Sequence, residues 1–210
     1  MKINDIVADN FSKIFEPQLL QEFCKYGILK TVESQKIILE IRREIQFIPI
    51  IVTGIAKVKR RDGKGNGIFL YYLTEKESSS LAITYSNEHK KSEVRIKAEG
   101  KVTYIALPSK IVYLWFQKYS SWRDYFFKLN QKQTSLLIEK INDIAFNNLE
   151  FRLLKYLENT SLVKNNHIIY RKHFDIARDL KVSREAVSRT LKKLEKDEIV
   201  TLGRNKIILN

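Results

Sequence analysis

The chain has 210 residues, of which 44% are hydrophobic, and it carries 38 Lys and Arg against 24 Asp and Glu. The hydrophobic fraction is sufficient for folded cores, so the composition excludes a disordered chain. The net charge of +14 favours an acidic partner such as nucleic acid or an anionic membrane. The single cysteine, Cys24, excludes an internal disulfide and a cysteine-rich zinc or iron–sulfur site.

Membrane and export signals are missing from the sequence. It contains no run of about 18 or more apolar residues, the length that a transmembrane helix needs. Its first residues include acidic side chains and lack the apolar core of a signal peptide. The sequence therefore predicts a soluble, cytoplasmic protein that is not embedded in a membrane.

The first 108 residues predict a β-rich domain preceded by short helices. Apolar positions in residues 1–30 have the spacing of a helical packing face. From about residue 31, short β-prone runs alternate with charged or glycine turns, which predicts an all-β sandwich or barrel. The clearest hairpin turn is RRDGKGNG at 60–67, and the runs are KIILEI, FIPIIVTGIAKVKR, GIFLYYL, LAITYS, EVRIKA and VTYIAL.

Residues 109–146 contain neither proline nor glycine and predict one long helix. A polar residue interrupts its apolar stripe, whose members are Trp122, Phe126, Leu129, Gln133, Leu136, Leu137, Ile141 and Ile144. The stripe fits two arrangements. The helix packs on its own domain, or it forms the seam of a helix–helix dimer in which Gln133 helps to set the register. The pattern does not decide between them.

The last segment predicts a compact helical domain with a small hairpin. The helix LEFRLLKYLENT and the apolar run HIIYR come first, and two closely spaced helices follow at about 172–180 and 183–196. Gly203 and Asn205 then have the residue types that turn a hairpin. Residues 147–210 carry 14 Lys and Arg against 8 Asp and Glu, so this segment is basic.

The two close helices have the sequence features of a helix-turn-helix. Small Ala177 lies where the helices must approach, Ser183 is an N-cap residue, and Val182, Val187 and Leu191 are spaced on one face. The opposite face carries Arg184, Glu185, Ser188 and Arg189. It is either an ordinary solvated face, in which Glu185 and Arg189 pair with each other, or the base-reading face of a helix in the major groove.

The residue types of this face suit the second interpretation. Arginine donates two hydrogen bonds to guanine, glutamate accepts from the amino group of cytosine, and serine pairs with several bases. Candidate base-contacting residues are therefore Arg184, Glu185, Ser188 and Arg189. Candidate contacts to phosphate, which position a protein without specifying sequence, are Ser183, Lys192, Lys193, Arg204 and Lys206.

The C-terminal sequence resembles the CRP/FNR family of bacterial transcription regulators. DIARDLKVSREAVSRTLKKLEKDEIV, followed by GRNKIIL, is similar to the winged helix-turn-helix of that family almost position for position, and FRLLKYL resembles the preceding helix. The family usually has glycine where Lys181 stands. A non-glycine residue in a left-handed conformation there costs on the order of 1 kcal/mol.

The resemblance extends more loosely to the N-terminal half. FIPIIVTGIAKVKRRDGKGNGIFLYYL is similar to the β-roll of the family, with Gly54 at a characteristic glycine. The resemblance implies an α+β fold with three parts: a cyclic-nucleotide-binding-like β-roll at 1–108, a long dimerisation helix at 109–146, and a winged helix-turn-helix at 147–210. It thereby favours the dimer seam for the long helix.

The resemblance also implies partners and specificity residues. A homodimer presents the 183–196 helix twice to palindromic double-stranded DNA, and RNA polymerase is a further expected partner. The spacing of Glu185, Ser188 and Arg189 resembles the FNR branch, whose members read TTGA-like half-sites. These three become the expected specificity residues, and the resemblance does not assign the type of contact that Arg184 makes.

The effector is not legible in the sequence. Cyclic-nucleotide-binding members hold the ligand with a short helix N-terminus, a Gly-Glu pair and an Arg-Ser pair. The corresponding positions here are SSS or SSL, and Lys91-Ser92-Glu93. Lysine does not replace the arginine fork, and Glu93 repels phosphate. Cyclic AMP is therefore not expected as a ligand.

Metal and haem cofactors are not expected either. The oxygen-sensing branch uses four cysteines, and only Cys24 is present. Haem needs an axial ligand, but His89, His167 and His173 are predicted to be surface or hydrogen-bonded residues. Cys24 lies on an apolar helix face, which favours a buried, inert thiol over a redox switch.

Two other classes of protein remain to be weighed. Catalytic motifs such as HExxH, a P-loop, GxGxxG or a nucleophile elbow are missing, so the sequence does not predict an enzyme. A non-sequence-specific architectural protein uses the same basic surface, and net charge does not distinguish it from a sequence-specific regulator.

Overall fold

The computed structural model describes residues 2–61, 67–87, 90–146 and 148–210, with the backbone alone at residues 61, 87 and 143–146. The helices in this part of the chain are α1 (Ile3–Phe11), α2 (Pro17–Tyr26), α3 (Ser80–Asn87), α4 (Ser109–Lys118), α5 (Ser120–Phe146), α6 (Leu149–Lys164), α7 (His173–Leu180) and α8 (Arg184–Lys196). The strands are β1 (Ile28–Val32), β2 (Ile37–Leu39), β3 (Phe47–Thr53), β4 (Ala56–Arg61), β5 (Gly67–Leu73), β6 (Val94–Ala98), β7 (Val102–Pro108), β8 (Ile168–Ile169), β9 (Val200–Gly203) and β10 (Lys206–Leu209). None of the described helices has the length and apolar character that crossing a membrane requires.

The chain forms two compact units. The N-terminal unit comprises Met1–Arg61 and Leu70–Leu136, and the C-terminal unit comprises Asp62–Phe69 and Leu137–Asn210. The boundary at 136/137 lies within α5, whereas the sequence predicted boundaries at 108/109 and 146/147.

The N-terminal unit contains two antiparallel sheets. One has the strand order β1-β7-β3 and the other β2-β6-β4-β5. Apolar side chains of facing strands fill the space between them, and Ile48, Ile50, Val58 and Ile96 have no exposed surface. The predicted β-roll of an α+β protein is confirmed, and β1 is a strand that the sequence analysis missed.

A tight turn joins β3 to β4 at Gly54. Its φ of +88° lies in the left-handed region, and a Cβ there would stand 2.4 Å from the backbone oxygen of Lys101. Only glycine fits this turn without strain. The glycine that resembles a family position thus has a local steric reason.

The segment LAITYS, predicted as a strand, forms helix α3, so that prediction is wrong. Ser79 directly precedes the helix, and its carbonyl accepts a hydrogen bond from the N–H of Ile83 at 3.1 Å. Ala82 and Ile83, adjacent in sequence, are both fully buried. Adjacent buried residues also occur in β3, so burial does not distinguish the two elements. The helix is distinguished by its i-to-i+4 hydrogen bonding and by the partner that Gln133 of α5 gives to its first N–H.

The predicted single helix at 109–146 is divided at Tyr119 into α4 and α5. Tyr119 has an extended backbone, with φ −123° and ψ 122°. Its buried hydroxyl donates a hydrogen bond to Glu22 of α2 at 2.7 Å, and the indole N–H of Trp115 and the ammonium of Lys118 also bind Glu22. These long-range contacts stabilise a break that the local sequence does not show.

Three of the eight residues of the predicted dimer stripe are buried in the interior of the N-terminal unit. Trp122, Leu129 and Gln133 are 0, 5 and 3% exposed within one chain, so they cannot be contacts to a second copy. Trp122 packs in an aromatic cluster with Phe15, Phe23 and Trp115. Core packing, the alternative that the pattern left open, accounts for these three positions.

The other members of the stripe have different surroundings. Phe126 is half-buried against Phe116, with 5.0 Å between their ring centroids. Leu136 and Leu137 are half-buried, and Ile141 is 64% exposed. The side chain of Ile144, His89, Asn147 and residues 62–66 of the predicted 60–67 turn lie outside what the structure describes.

The C-terminal unit is a helical domain with a small sheet. Its sheet has the order β8-β10-β9, with β10 antiparallel to both neighbours. Helices α6, α7 and α8 pack together through Leu153, Leu157, Ile176, Val187 and Leu191, each without exposed surface. The predicted winged helix-turn-helix is confirmed.

Candidate nucleic-acid interface

The turn between α7 and α8 has the geometry of a helix-turn-helix. Lys181 adopts the left-handed conformation, with φ 59° and ψ 47°, as expected for a residue in the place of the usual glycine. The next N–H, of Val182, donates to the carbonyl of Ala177 at 3.1 Å. Ser183 is the N-cap of α8, and its hydroxyl accepts from the N–H of Ala186 at 3.1 Å.

A buried apolar face holds α8 in place. Val187, Leu191 and Leu194 are at most 1% exposed, and Ala177 of α7 is 4% exposed at the crossing. A small residue there permits close approach of the two helices. Packing of its buried face therefore fixes the orientation of α8, and the opposite face takes no part in this packing.

The opposite face of α8 is open to solvent at the predicted base-contacting positions. Arg184, Glu185 and Arg189 are exposed. Within the part of the chain that the structure describes, Glu185 and Arg189 have no hydrogen-bond or ion-pair partner, so they do not form the pair that their spacing allows. Ser188 is half-buried.

The hydroxyl of Ser188 is engaged by a residue that sequence reasoning did not connect to it. The Nδ1 atom of His173, at the start of α7, lies 2.9 Å from the Ser188 Oγ. Burial, and then the charge of Arg184, hold the pKa of His173 below its ordinary value of 6.5. A neutral imidazole next to Ser188 leaves the serine able to accept or donate, depending on the tautomer. The expectation that His173 is a hydrogen-bonded residue is confirmed.

Two of the predicted phosphate contacts, Lys192 and Lys193, have different surroundings. Lys192 is exposed, whereas the Lys193 ammonium binds the Glu150 carboxylate of α6 at 2.5 Å. That hydrogen bond raises the pKa of Lys193. Lys193 reaches a phosphate only by exchanging one anionic partner for another, so its expected contribution is smaller than that of Lys192.

The wing is a two-residue hairpin between β9 and β10. Gly203 pairs with Lys206, and Arg204 and Asn205 form the turn, in which Asn205 has φ 57°. A Cβ on Gly203 would lie 2.7 Å from the side chain of Lys206. Gly203 therefore makes room for that lysine, and Arg204 and Lys206 both stand exposed on the wing.

A basic cleft of about 390 Å³ adjoins these residues and was not predicted from the sequence. Its walls come from the start of α7, the start of α8 and the wing, and they comprise Arg171, Lys172, His173, Phe174, Arg184, Gly203 and Asn205. Nothing in the local sequence joins the segment 171–174 to the wing. The folded sheet brings them together.

The candidate effector positions in the N-terminal unit do not converge on a ligand. Ser92 is 1% exposed, and its hydroxyl donates to the Val94 carbonyl at 2.7 Å. Glu93 forms an ion pair with Arg60 at 2.6 Å. The serines at 78–80 are buried and hydrogen-bonded within the protein. The described residues contain no cluster of three His, Cys, Asp or Glu side chains arranged for a metal ion.

Cys24 and His167 have ordinary surroundings. Cys24 is half-buried, and burial raises the pKa of its thiol, which disfavours the reactive thiolate. His167 is exposed in the C-terminal unit.

Comparison with known proteins agrees with this architecture. Residues 152–210 match the model of the Crp-like helix-turn-helix domain. A putative regulator of the CRP/FNR family from Eubacterium rectale superposes with a TM-score of 0.81 at 20% identity, over 94% of this chain and 92% of that one. A search of curated protein sequences finds no match.

Two further solved structures share the fold. The c-di-GMP-responsive global regulator of Xanthomonas campestris has a TM-score of 0.78 at 14% identity, covering 92% of this chain and 99% of its own. A CRP/FNR regulator from Thermus thermophilus has a TM-score of 0.72 at 15% identity, covering 87% and 93%. Similarity at this level establishes the fold, and the domain match establishes the helix-turn-helix.

Proposed function

Because residues 152–210 form a Crp-like helix-turn-helix domain and the chain has the fold of the CRP/FNR transcription regulators, we propose that it binds a palindromic DNA site sequence-specifically as a homodimer. In this proposal α8 enters the major groove, and two copies of it read two half-sites about one helical turn apart. The resemblance to the FNR branch suggests TTGA-like half-sites.

One observation carries the proposal: an exposed, unpaired set of charged side chains on a helix whose other face is buried. Arg184, Glu185 and Arg189 project from the first two turns of α8, and its other face is fully buried. A charged side chain without an internal partner is free to exchange water for a base edge. Ser188, already positioned by His173, completes the proposed base-contacting set.

Phosphate contacts extend the proposed interface on both sides of α8. Ser183 and Lys192 belong to α8 and its cap, and Arg204 and Lys206 belong to the wing. The cleft between α7 and the wing adds Lys172 as a cation near the same surface. Each phosphate neutralised releases counterions, so binding should weaken steeply with salt.

The proposed homodimer uses a face of α5 that shares only Ile141 with the stripe first predicted. Phe127, Ile138 and Ile141 are 64, 53 and 64% exposed. Their spacing of 11 and 3 residues is compatible with a heptad repeat, in which Thr134 occupies the intervening position. An exposed apolar repeat on one helix is buried efficiently by the same repeat from a second copy.

The remaining expectations belong to the same proposal. Cyclic AMP is not the proposed effector, because the buried Ser92 hydroxyl binds the Val94 carbonyl and the partly exposed Glu93 carboxylate pairs with Arg60. RNA polymerase remains a proposed partner, and the cytoplasm the proposed site of action, as for a regulator that acts on chromosomal DNA.

A non-sequence-specific architectural protein is the alternative function. It would use the same basic surface, and its affinity would depend on salt but not on base sequence. The open base-reading face of α8 favours the specific regulator. The ratio of affinities for two duplexes decides between the functions.

The deciding experiment titrates the protein against a labelled TTGA-type palindrome and a scrambled duplex of equal length over a salt series. A specific regulator should prefer the palindrome by at least about 1000-fold at moderate salt. Equal affinities at every salt concentration, for this site and for sites selected from a random pool, would establish the architectural function.

The dimer is tested separately by sedimentation equilibrium. Replacing Ile138 and Ile141 together by Glu should dissociate the dimer, because it places two charges in an apolar seam. The control is Asn142→Glu, an exposed neighbour on the same helix. If both variants have the same dimerisation constant, this face of α5 is not the dimer interface.

A further inference from the structure

A cluster of polar side chains is buried at the start of α3, in the N-terminal unit. Ser78, Ser79 and Ser80 are 0, 0 and 2% exposed, and Gln133 of α5 is 3% exposed. Buried polar groups are costly unless hydrogen bonds replace those that they lose with water. The partners of these groups therefore show what the cluster is built to do.

Gln133 supplies partners on both sides of its amide. Its Oε1 accepts from the N–H and from the hydroxyl of Ser80, each at 2.9 Å. Its Nε2 donates to the carbonyl of Ser78 at 2.7 Å. These hydrogen bonds fix the position of α5 relative to the start of α3, because sliding α5 along its axis would break all three at once.

The two other serines are closed off by different partners. The Ser78 hydroxyl donates to the Pro49 carbonyl at 2.7 Å, and the Ser79 Oγ lies 3.1 Å from the hydroxyl of Tyr71. Neither hydroxyl points into solvent. Both hydroxyls therefore have their hydrogen-bond partners within the unit.

The N-terminus of a helix is ordinarily suited to an anion, because its first N–H groups lack partners in the helix. At α3 the carbonyl oxygen of Gln133 occupies that position. Glu77 lies directly before the cluster, and its carboxylate binds the ammonium of Lys132 of α5. A carboxylate at this position disfavours a second anion.

The same stretch of α5 is tied to the segment before α3 at further positions. The hydroxyl of Tyr125 donates to the Lys76 carbonyl at 3.1 Å. Tyr125, Lys132 and Gln133 therefore contact residues 76, 77 and 78–80 in the same order along both segments. Such an ordered series of contacts fixes the register of one element on another.

We propose that Gln133 acts as a built-in substitute for an anionic ligand at the start of α3, so that α5 is locked onto the β-roll without an effector at this position. A consequence, which rests on the proposed function, is that specific DNA binding needs no small molecule there. The lock itself is a property of the N-terminal unit and does not depend on DNA binding.

Hydrogen–deuterium exchange of the full-length protein tests the lock. The variant Gln133→Leu keeps the approximate volume and removes the amide, and Gln117→Leu, an exposed glutamine on α4, is the matched control. Amides of α3 and of residues 122–136 should exchange at least about tenfold faster in Gln133→Leu than in wild type or control, because three buried polar partners lose their hydrogen bonds. Exchange equal to wild type would overturn the lock.

A second variant covers the case in which Gln133→Leu does not fold. Gln133→Glu keeps the size and the acceptor but replaces the donor that faces the Ser78 carbonyl by an oxygen. It should speed exchange in the same two segments, with Gln117→Glu as its control. Exchange in Gln133→Glu at the wild-type rate would also overturn the lock.

Ligand probes test the substitution for an anion. Millimolar cyclic AMP or inorganic phosphate should leave exchange of α3 unchanged in wild type. Slower exchange of α3 with either probe would show that an anion still binds at this position and would overturn the substitution.

The DNA consequence is measured on the same proteins with the palindrome and the scrambled duplex. Gln133→Leu should reduce the preference for the palindrome at least about tenfold, and Gln117→Leu should retain it. A wild-type protein without preference would refute the proposed function while the exchange data still decide on the lock. Faster exchange with an unchanged preference would keep the lock and overturn its link to DNA binding.

Discussion

The two units differ in whether a notable set of polar side chains is exposed or buried. On α8 of the C-terminal unit, Glu185 and Arg189 are exposed and lack internal partners in the described part of the chain. At the start of α3 in the N-terminal unit, the serines and Gln133 are buried and hydrogen-bonded within the unit. One set is exposed and unpaired, and the other is buried and hydrogen-bonded.

This difference shows how a binding surface is recognised. A polar side chain whose hydrogen bonds are all satisfied internally contributes to stability and to uniqueness of the fold. A polar side chain held on a rigid support with its hydrogen bonds unmade is available for recognition. Burial and internal hydrogen bonding therefore separate the two classes.

The largest effect should come from a substitution in the buried face of α8, which holds the exposed face in position. Leu191 is fully buried on the core face of α8. Leu191→Ala should lower the free energy of unfolding of the C-terminal unit by about 2–5 kcal/mol, through lost burial and the cavity left behind. Urea denaturation followed by circular dichroism measures it. Lys192→Ala, the exposed neighbour, should stay within about 0.5 kcal/mol of wild type, and equal values for both variants would contradict the packing described here.

The next effect concerns the open surface itself. Arg189→Ala should cost about 1–3 kcal/mol of binding free energy for the palindrome and relax discrimination at one base pair. Its stability should not change, because Arg189 is exposed. Titration against single-base variants of the half-site measures the effect, and Lys192→Ala should instead weaken binding to all duplexes equally. A wild-type ratio of palindrome to scrambled affinity in Arg189→Ala would remove this residue from the base-contacting set.

In the buried cluster at the start of α3, a substitution should lower stability slightly and leave the DNA preference unchanged. Ser78→Ala removes the donor to the Pro49 carbonyl and should lower the free energy of unfolding by about 1 kcal/mol. The preference for palindromic DNA should remain, because the Ser78 carbonyl that binds Gln133 is retained. Ser135→Ala, on the exposed side of α5, is the control. If Ser78→Ala changed base preference without changing stability, the two clusters would not differ as described.

The smallest effect is a pH dependence at His173. Its pKa is lowered in the folded state, so below about pH 6.5 the unfolded chain binds more protons and acid favours unfolding. Above about pH 6.5 His173 is neutral in both states, and the free energy of unfolding keeps its full value with respect to this residue. As the pH falls from 6.5 through the lower pKa of the folded state, the free energy of unfolding decreases. Thermal denaturation between pH 8 and 5 should show a shallower acid loss for His173→Gln than for wild type. Identical slopes would mean that His173 titrates as in the unfolded chain.

The helix-turn-helix could be predicted closely because its signals are local. The cap at Ser183, the left-handed turn at Lys181 and the apolar spacing of Val187 and Leu191 all act within a few residues. The β-roll could be predicted as a class for the same reason, since strands such as GIFLYYL carry their own pattern.

The errors arose where distant residues decide the structure. LAITYS has strand-forming residues, but it forms a helix whose first N–H, at Ser80, donates to Gln133 of α5, 53 positions away. The break at Tyr119 depends on Glu22, and the orientation of Gln133 depends on the serines of α3. The contact between His173 and Ser188 joins two helices across 15 positions. No pattern within one segment contains that information.

The aromatic cluster around α5 has a practical consequence for spectroscopy. Trp115 and Trp122 are the two tryptophans of the chain, and both are buried in that cluster, with 5.2 Å between their ring centroids. The C-terminal unit contains tyrosine but no tryptophan. Indole emission excited at the red edge of the absorption band therefore reports on the N-terminal unit alone, and the unlabelled protein carries an optical probe confined to one of its two units.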